Sequence, residues 1–209
     1  LARENRKVKV FQKQFENFTL QRNHALSLAA HDWVLFLDGD ERITPALRNE
    51  ILATMRSETP KAAYFFRRTF YFEGRPLRFS GTQKDKNYRL FRKSKASYIP
   101  IKKVHETLEV QGDTGTLQHK LLHFSVTNAV RYREKMIQYA NLKGLELFEK
   151  GKKYSAIKQY GKSGYWFFRN YIMKLGILDG ADGFRLCKMH AEYVYNTYEA
   201  LKKTQRKFS

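Results

Sequence analysis

Asp38, Asp40 and Glu41 place three carboxylates within four positions. The rest of the chain is strongly basic, with 40 Lys and Arg against 20 Asp and Glu. Two carboxylates two residues apart, with Gly39 between them, can approach one hard cation from a tight turn. Mg²⁺ and Mn²⁺ take oxygen ligands and accept substrate phosphates in the remaining positions. A cation held there would neutralise a diphosphate leaving group as the bond to it breaks. The plainer alternative is a solvated turn in which Asp40 or Glu41 caps the next helix, because a bare D-x-D arises often by chance.

Four further stretches carry chemistry-bearing residues. Arg22 and Asn23, in "QRNHAL", could reach a phosphate or ribose, or simply be polar residues of a helix surface. Glu106, in "VHE", is of the right type to take a proton from an attacking hydroxyl, with His105 orienting it or touching phosphate. The alternative is an exposed Glu in an alternating strand. Asp85, in "QKDKNYRLFRK", could pair with Arg89, act as base, or sit in a solvated loop. His123 ends an apolar stretch, where a histidine is more often a satisfied core residue than a metal ligand.

The elements that must position these residues are legible in the hydrophobic pattern. Residues 14–30 read as a helix with Phe15, Phe18, Leu20, Ala25, Leu28 and Ala29 on its apolar side. Trp33 to Leu37 reads as a buried strand running into the acidic turn. Thr44 and Pro45 are suited to the N-cap and first position of a helix reaching Met55. Helix, strand, turn and helix in that order suggest half of an alternating α/β sheet. Ligands in such sheets sit beyond the carboxyl ends of strands, where the acidic turn falls. Further strands are expected over 62–72, 88–93, 104–110 and 116–124. A long helix capped by Ser125 or Thr127 should end near Gly151, with two more over about 153–175 and 181–203. This divides the chain into a catalytic region, 1–125, and a helical region, 126–209.

Composition bounds the setting. With 209 residues, 42% hydrophobic and 29% charged, the chain can bury a core and is no disordered polymer. It contains no apolar run of the roughly eighteen residues that crosses a bilayer. Its single Cys187 forms no internal disulfide, which fits a reducing cytosol. The positive charge is spread along the chain and attracts polyanions: nucleic acid, anionic lipid or nucleotide-linked substrates. A basic nucleic-acid-binding module is the alternative function, but no RNP segment, GXXG loop or zinc spacing supports it. The C-terminal stretch 165–207 mixes aromatics with Lys and Arg, which suits either packing on a sheet or contact with a membrane surface.

"FENFTLQRNHALSLAAHDWVLFLDGDERITPAL", "YRLFRK", "VHETLEV" and "LLHFS", in that order and spacing, resemble the family 2 glycosyltransferases, especially bacterial enzymes that add sugars to the lipopolysaccharide core. The likeness runs over residues 9–195. It implies an α/β fold of the A-type glycosyltransferase kind, with a donor half and an acceptor half. It also implies inverting, Mg²⁺- or Mn²⁺-dependent transfer from a nucleotide-diphosphate sugar to a glycan or lipid-linked acceptor, with no nucleic-acid partner. On this resemblance Asp38 and Asp40 match metal and ribose carboxylates, Asp40 being the more direct ligand. Arg22 and Asn23 match a donor-side pair, and His123 a histidine facing diphosphate or metal. Glu106 is the preferred base over Asp85, and Arg89 and Arg92 are weaker candidates for anion contact. The resemblance places the protein in the cytoplasm, at the inner face of the cytoplasmic membrane. The family begins with an earlier strand, helix and acidic strand that hold the base, and this chain is expected to lack that βαβ unit. The turn reads Asp-Gly-Asp-Glu where Asp-Ala-Asp-Glu is commoner, which keeps both ligands.

Overall fold

The computed structural model describes residues 8–82, 86–99 and 108–208. In chain order the elements are α1 (Phe18–Ser27), β1 (Trp33–Leu35), β2 (Glu41–Arg42), α2 (Pro45–Arg56), β3 (Ala63–Phe72), β4 (Arg75–Leu77), β5 (Lys86–Arg92), β6 (Ala96–Tyr98), β7 (Leu108–Val110), β8 (Thr114–Thr116), β9 (Leu121–Val126), α3 (Ala129–Glu149), α4 (Ala156–Phe168) and α5 (Gly180–Phe208). Two compact units emerge among the described residues: 8–37, 45–66, 87–99 and 108–119 form the first, and 38–44, 67–82, 86 and 120–208 the second, so that β3 contributes to both.

In the first unit β1 pairs antiparallel with β5, β5 neighbours the start of β3, and β8 runs parallel to Ala63–Phe65. The sheet is thus mixed, and strict βα alternation, which would make it parallel, does not hold. Leu26, Val34, Ala63, Phe91, Tyr98 and Leu108 form its core. The first helix is shorter than its pattern suggests, because Asn17 caps it by accepting from Leu20 N–H at 2.9 Å. Phe15 and Phe18 do not face the core; both are exposed and meet edge-on, 5.0 Å apart. The strand expected over 33–37 stops at Leu35 and Leu37 is exposed. The expected 116–124 strand is broken in two. Glu50 of α2 accepts the backbone N–H groups of Gln118 and His119 at 2.7 and 2.9 Å, which holds a turn where the apolar pattern alone would continue the strand.

In the second unit β4 and β9 flank the far half of β3, β9 parallel and β4 antiparallel, and β2 pairs antiparallel with β9. Phe70, Phe72, Leu77, Val126, Ala129 and Leu186 make the core between these strands and the C-terminal helices. The cap of α3 is Asn128, which accepts from Arg131 N–H, and neither Ser125 nor Thr127 serves. Glu73 reinforces that cap. Its carboxylate accepts Ala129 N–H at 2.9 Å and so favours its charged form at a helix N-terminus. Helix α3 can lie close to α5 because Gly144 has no side chain; a Cβ there would fall 2.5 Å from that of Ala200. The expected helix over 153–175 is straight α only to Phe168 and then widens into a π-helical turn, Arg169–Met173.

Burial of His190 on α5, with Lys174 nearby as a secondary cause, pushes its imidazole down to about 4. Its Nε2 lies 3.3 Å from the Tyr132 hydroxyl of α3. Between the ordinary histidine value and about 4 the unfolded chain binds a proton that the folded chain refuses. Stability contributed by neutral His190 is therefore fully present above that window and lost as pH falls through it. Urea titrations from pH 7 to pH 4 should show a steady loss of stability, and His190→Asn should flatten that slope.

Candidate functional site around the acidic turn

The acidic turn belongs to the second unit and is built from its own side chains. Glu41 N–H donates to the Asp38 carbonyl at 3.0 Å, which closes a four-residue turn. The Glu41 carboxylate folds back and accepts the Asp38 N–H at 3.0 Å. Its other oxygen accepts from Arg68 of β3 at 3.0 Å. Glu41 is fully buried at its side chain and Arg68 12% exposed. Such a pair is demanding, because both charges have left water. Glu41 is therefore neither a helix cap nor a ligand. It is the anchor of the turn, and it reaches this position because β2 places Glu41 opposite His123 of β9.

Asp40 is what the anchored turn presents. Its carbonyl accepts Phe124 N–H at 2.8 Å. Its side chain is 46% exposed, and Oδ2 lies 3.4 Å from Nε2 of His123, which is only 13% exposed. His123 is thus neither a simple core histidine nor an isolated one: it backs the exposed carboxylate, while its ring meets Phe70 edge-on at 6.0 Å. Asp38 stands at the start of the turn, half-buried. Among the described residues no three His, Cys, Asp or Glu side chains gather into a ready metal cage. The donors present suit a hard cation whose remaining positions are filled by substrate oxygens, the usual habit of Mg²⁺. Gly39 adopts no left-handed backbone, and a Cβ there would meet nothing within 4 Å. The glycine is consequently not required by the turn.

The other candidates belong to the first unit. Arg22 lies over the rings of Phe36 and Tyr98, 5.9 and 5.8 Å from their centres. Asn23 is spent on positioning: its Nδ2 donates to the Tyr98 carbonyl at 2.9 Å and its Oδ1 accepts Tyr98 N–H at 3.2 Å, tying α1 to β6. Arg89 is buried on β5. Arg92 pairs with Asp32 at 3.1 Å and lies over Trp33 at 4.7 Å. Asp32 is itself held below the usual carboxylate range, chiefly by the Ser94 N–H and then by Arg92. Asp85, His105 and Glu106 lie outside the described residues. Arg68, which anchors the turn, carried no sequence signal of its own, since a strand arginine 27 positions from Glu41 looks like any surface cation.

The mixed sheet, with its acidic turn between β1 and β2, agrees with an α/β glycosyltransferase fold. Residues 1–137 match the family described as Glycosyl transferase family 2, and the chain belongs to that family. It is 26% identical over 188 residues to an uncharacterised glycosyltransferase of Rickettsia conorii, covering 84% of this chain and 66% of that protein. A Rickettsia typhi counterpart is 24% identical over 186 residues, covering 84% and 64%. The lipopolysaccharide core biosynthesis glycosyltransferase LpsC of Rhizobium meliloti is 25% identical over 191 residues, covering 91% and 71%. The chain thus spans about two thirds of the length of these relatives.

Two substitutions separate anchor from spacer. Glu41→Ala removes one member of a buried ion pair and should cost about 3–5 kcal/mol in chemical denaturation. Gly39→Ala should be neutral or stabilising by up to about 1 kcal/mol, because it restricts the unfolded chain and meets no obstacle in the folded one.

Proposed function

We propose that the protein transfers a sugar, with inversion, from a nucleotide-diphosphate donor to an acceptor hydroxyl in lipopolysaccharide or other surface-glycan synthesis. The observation that carries this reading is the exposed Asp40 carboxylate, backed by His123 at 3.4 Å on a turn fixed by a buried ion pair. Family membership and the role that LpsC's name gives it in lipopolysaccharide core biosynthesis support the same direction. In this reading Asp38 and Asp40 hold Mg²⁺ or Mn²⁺, which when bound would offset the charge of the departing diphosphate. The work of the chain is to hold Asp40 in place before the substrate arrives, so that no reorganisation is needed when charge develops. His123 restrains the carboxylate from behind. Arg22, a cation resting on two aromatic rings, is the donor-side candidate of the first unit. Glu106, or failing that Asp85, takes the proton from the acceptor hydroxyl.

Binding of a nucleoside diphosphate followed calorimetrically should require Mn²⁺ and weaken at least ten-fold in Asp40→Ala. Equal binding with and without metal would contradict the reading.

The reading also puts the protein on the inner face of the cytoplasmic membrane. Among the described residues no helix is long and apolar enough to cross a membrane. Tyr165, Phe168, Ile172, Met173, Ile177 and Leu178 are nonetheless exposed within fourteen positions, beside Lys162 and Arg169. Apolar side chains among cations suit an anionic headgroup layer. Phosphatidylglycerol vesicles should co-sediment the protein, and Met173→Glu combined with Leu178→Glu should release it. Equal recovery on neutral phosphatidylcholine vesicles would contradict a charge-assisted contact.

A further inference from the structure

Within the second unit a cleft of about 350 Å³ opens between the 78–82 loop and the C-terminal helices. Its walls are unusual in backbone and in chemistry. Ser80 in its wall, and Leu175 next to the lining Lys174, adopt left-handed backbone with φ of 58° and 57°, although neither is glycine. The π-helical turn Arg169–Met173 forms another wall. Such features cost energy and persist where the surroundings enforce them, often at ligand sites. Asp179 enforces the loop that carries Ser80. Its carboxylate accepts from Arg78 N–H, Phe79 N–H and the Ser80 hydroxyl at 2.9, 3.0 and 2.8 Å.

The π turn directs Asn170 inward. It is 2% exposed, yet its Nδ2 has no hydrogen-bond partner among the described residues. A buried amide donor left unsatisfied costs about 1–3 kcal/mol, so an acceptor brought to Asn170 Nδ2 recovers that cost. Gly81 is the floor on which the polar groups converge: a Cβ there would fall 2.7 Å from Asn170 Oδ1 and 3.1 Å from Lys174 Nζ. Trp166 and Phe70 supply aromatic walls, and His190 adds a neutral imidazole. Phe70 also ties the cleft to the acidic turn. It is the register partner of His123 on β9, and their rings meet at 6.0 Å, next to Asp40.

An aromatic wall, a buried amide donor, hydroxyls and one ammonium match a sugar that bears an anionic group. We propose that this cleft is the acceptor subsite and that it selects a sugar carrying a phosphate or carboxylate. The anion lies on Lys174, a ring oxygen accepts from Asn170 Nδ2, and a sugar face rests on Trp166. The assignment of the bound sugar as acceptor rests on the transferase reading above; the binding of an anionic sugar does not.

The test needs neither donor nor metal. Trp33→Phe leaves Trp166 as the single tryptophan, so its fluorescence reports the cleft. Glucose 6-phosphate, glucuronate, glucose and inorganic phosphate are titrated in turn. At least one of the two anionic sugars should quench Trp166 saturably, at least ten-fold more tightly than glucose or phosphate alone, and which one binds separates a phosphate-bearing from a carboxylate-bearing acceptor. Lys174→Met should reduce that affinity about ten-fold, to the level of glucose, as expected for loss of a charge-assisted contact. Phosphate binding as tightly as the sugar phosphate, glucose binding as tightly as either anion, or no saturable change with any probe would overturn the proposal. Any of these results beside intact Mn²⁺-dependent nucleotide binding would remove the subsite and leave the transferase reading standing. Sugar binding with failed nucleotide binding would do the reverse.

Discussion

The buried contact between Glu41 and Arg68 governs the acidic turn. A carboxylate removed from water must be met by charge and hydrogen bonds, and Glu41 finds both, in Arg68 and in the Asp38 N–H. Those two bonds fix where the turn begins and how it leaves the sheet. Pairing of Glu41 with His123 then fixes the histidine beside Asp40. One acid of the three is spent on structure so that another can stay exposed and held. In a chain this basic, that exposed and restrained carboxylate is the feature on which the proposed cation site rests.

Much of the architecture was legible because hydrophobic period and capping chemistry agree. The helix beginning at Pro45 and the long strand ending at Phe72 are where pattern places them. Errors came where a distant polar group overrode local pattern. Glu50 breaks one strand into two through backbone bonds to Gln118 and His119, 68 and 69 positions away. Asn128, with help from Glu73, caps a helix that Ser125 and Thr127 were equally suited by type to begin. Phe15 and Phe18, expected on the apolar side of the first helix, meet each other at the surface while Leu26 enters the core. No one-dimensional period carries that information.

The site was legible in part. Asp38, Asp40 and His123 stood out by type, and the structure brings the last two together. Asn23 looked equally eligible, yet both ends of its amide serve the Tyr98 backbone. The cleft around Asn170 left almost no trace in the sequence. Its marks are conformational: a π turn, two residues in left-handed backbone, and a loop held by Asp179. The segment of residues 176–180 falls between the helices expected over about 153–175 and 181–203. Its Gly176 allows close approach, since a Cβ there would fall 2.8 Å from the Asn170 carbonyl oxygen. That crowding packs the segment against the turn that carries Asn170.

These features place an anchored acidic turn and a strained cleft side by side in one unit, joined through Phe70 and His123. The central claim is that the turn presents Asp40, with His123 at its back, to a divalent cation shared with a diphosphate. Paramagnetic broadening by Mn²⁺ of the His123 ring resonances, in the presence of a nucleoside diphosphate, tests it most directly. The account predicts that the His123 signals vanish at low Mn²⁺ occupancy and return when diamagnetic Mg²⁺ takes its place. His123 signals that stay sharp at saturating Mn²⁺ and nucleotide would contradict it.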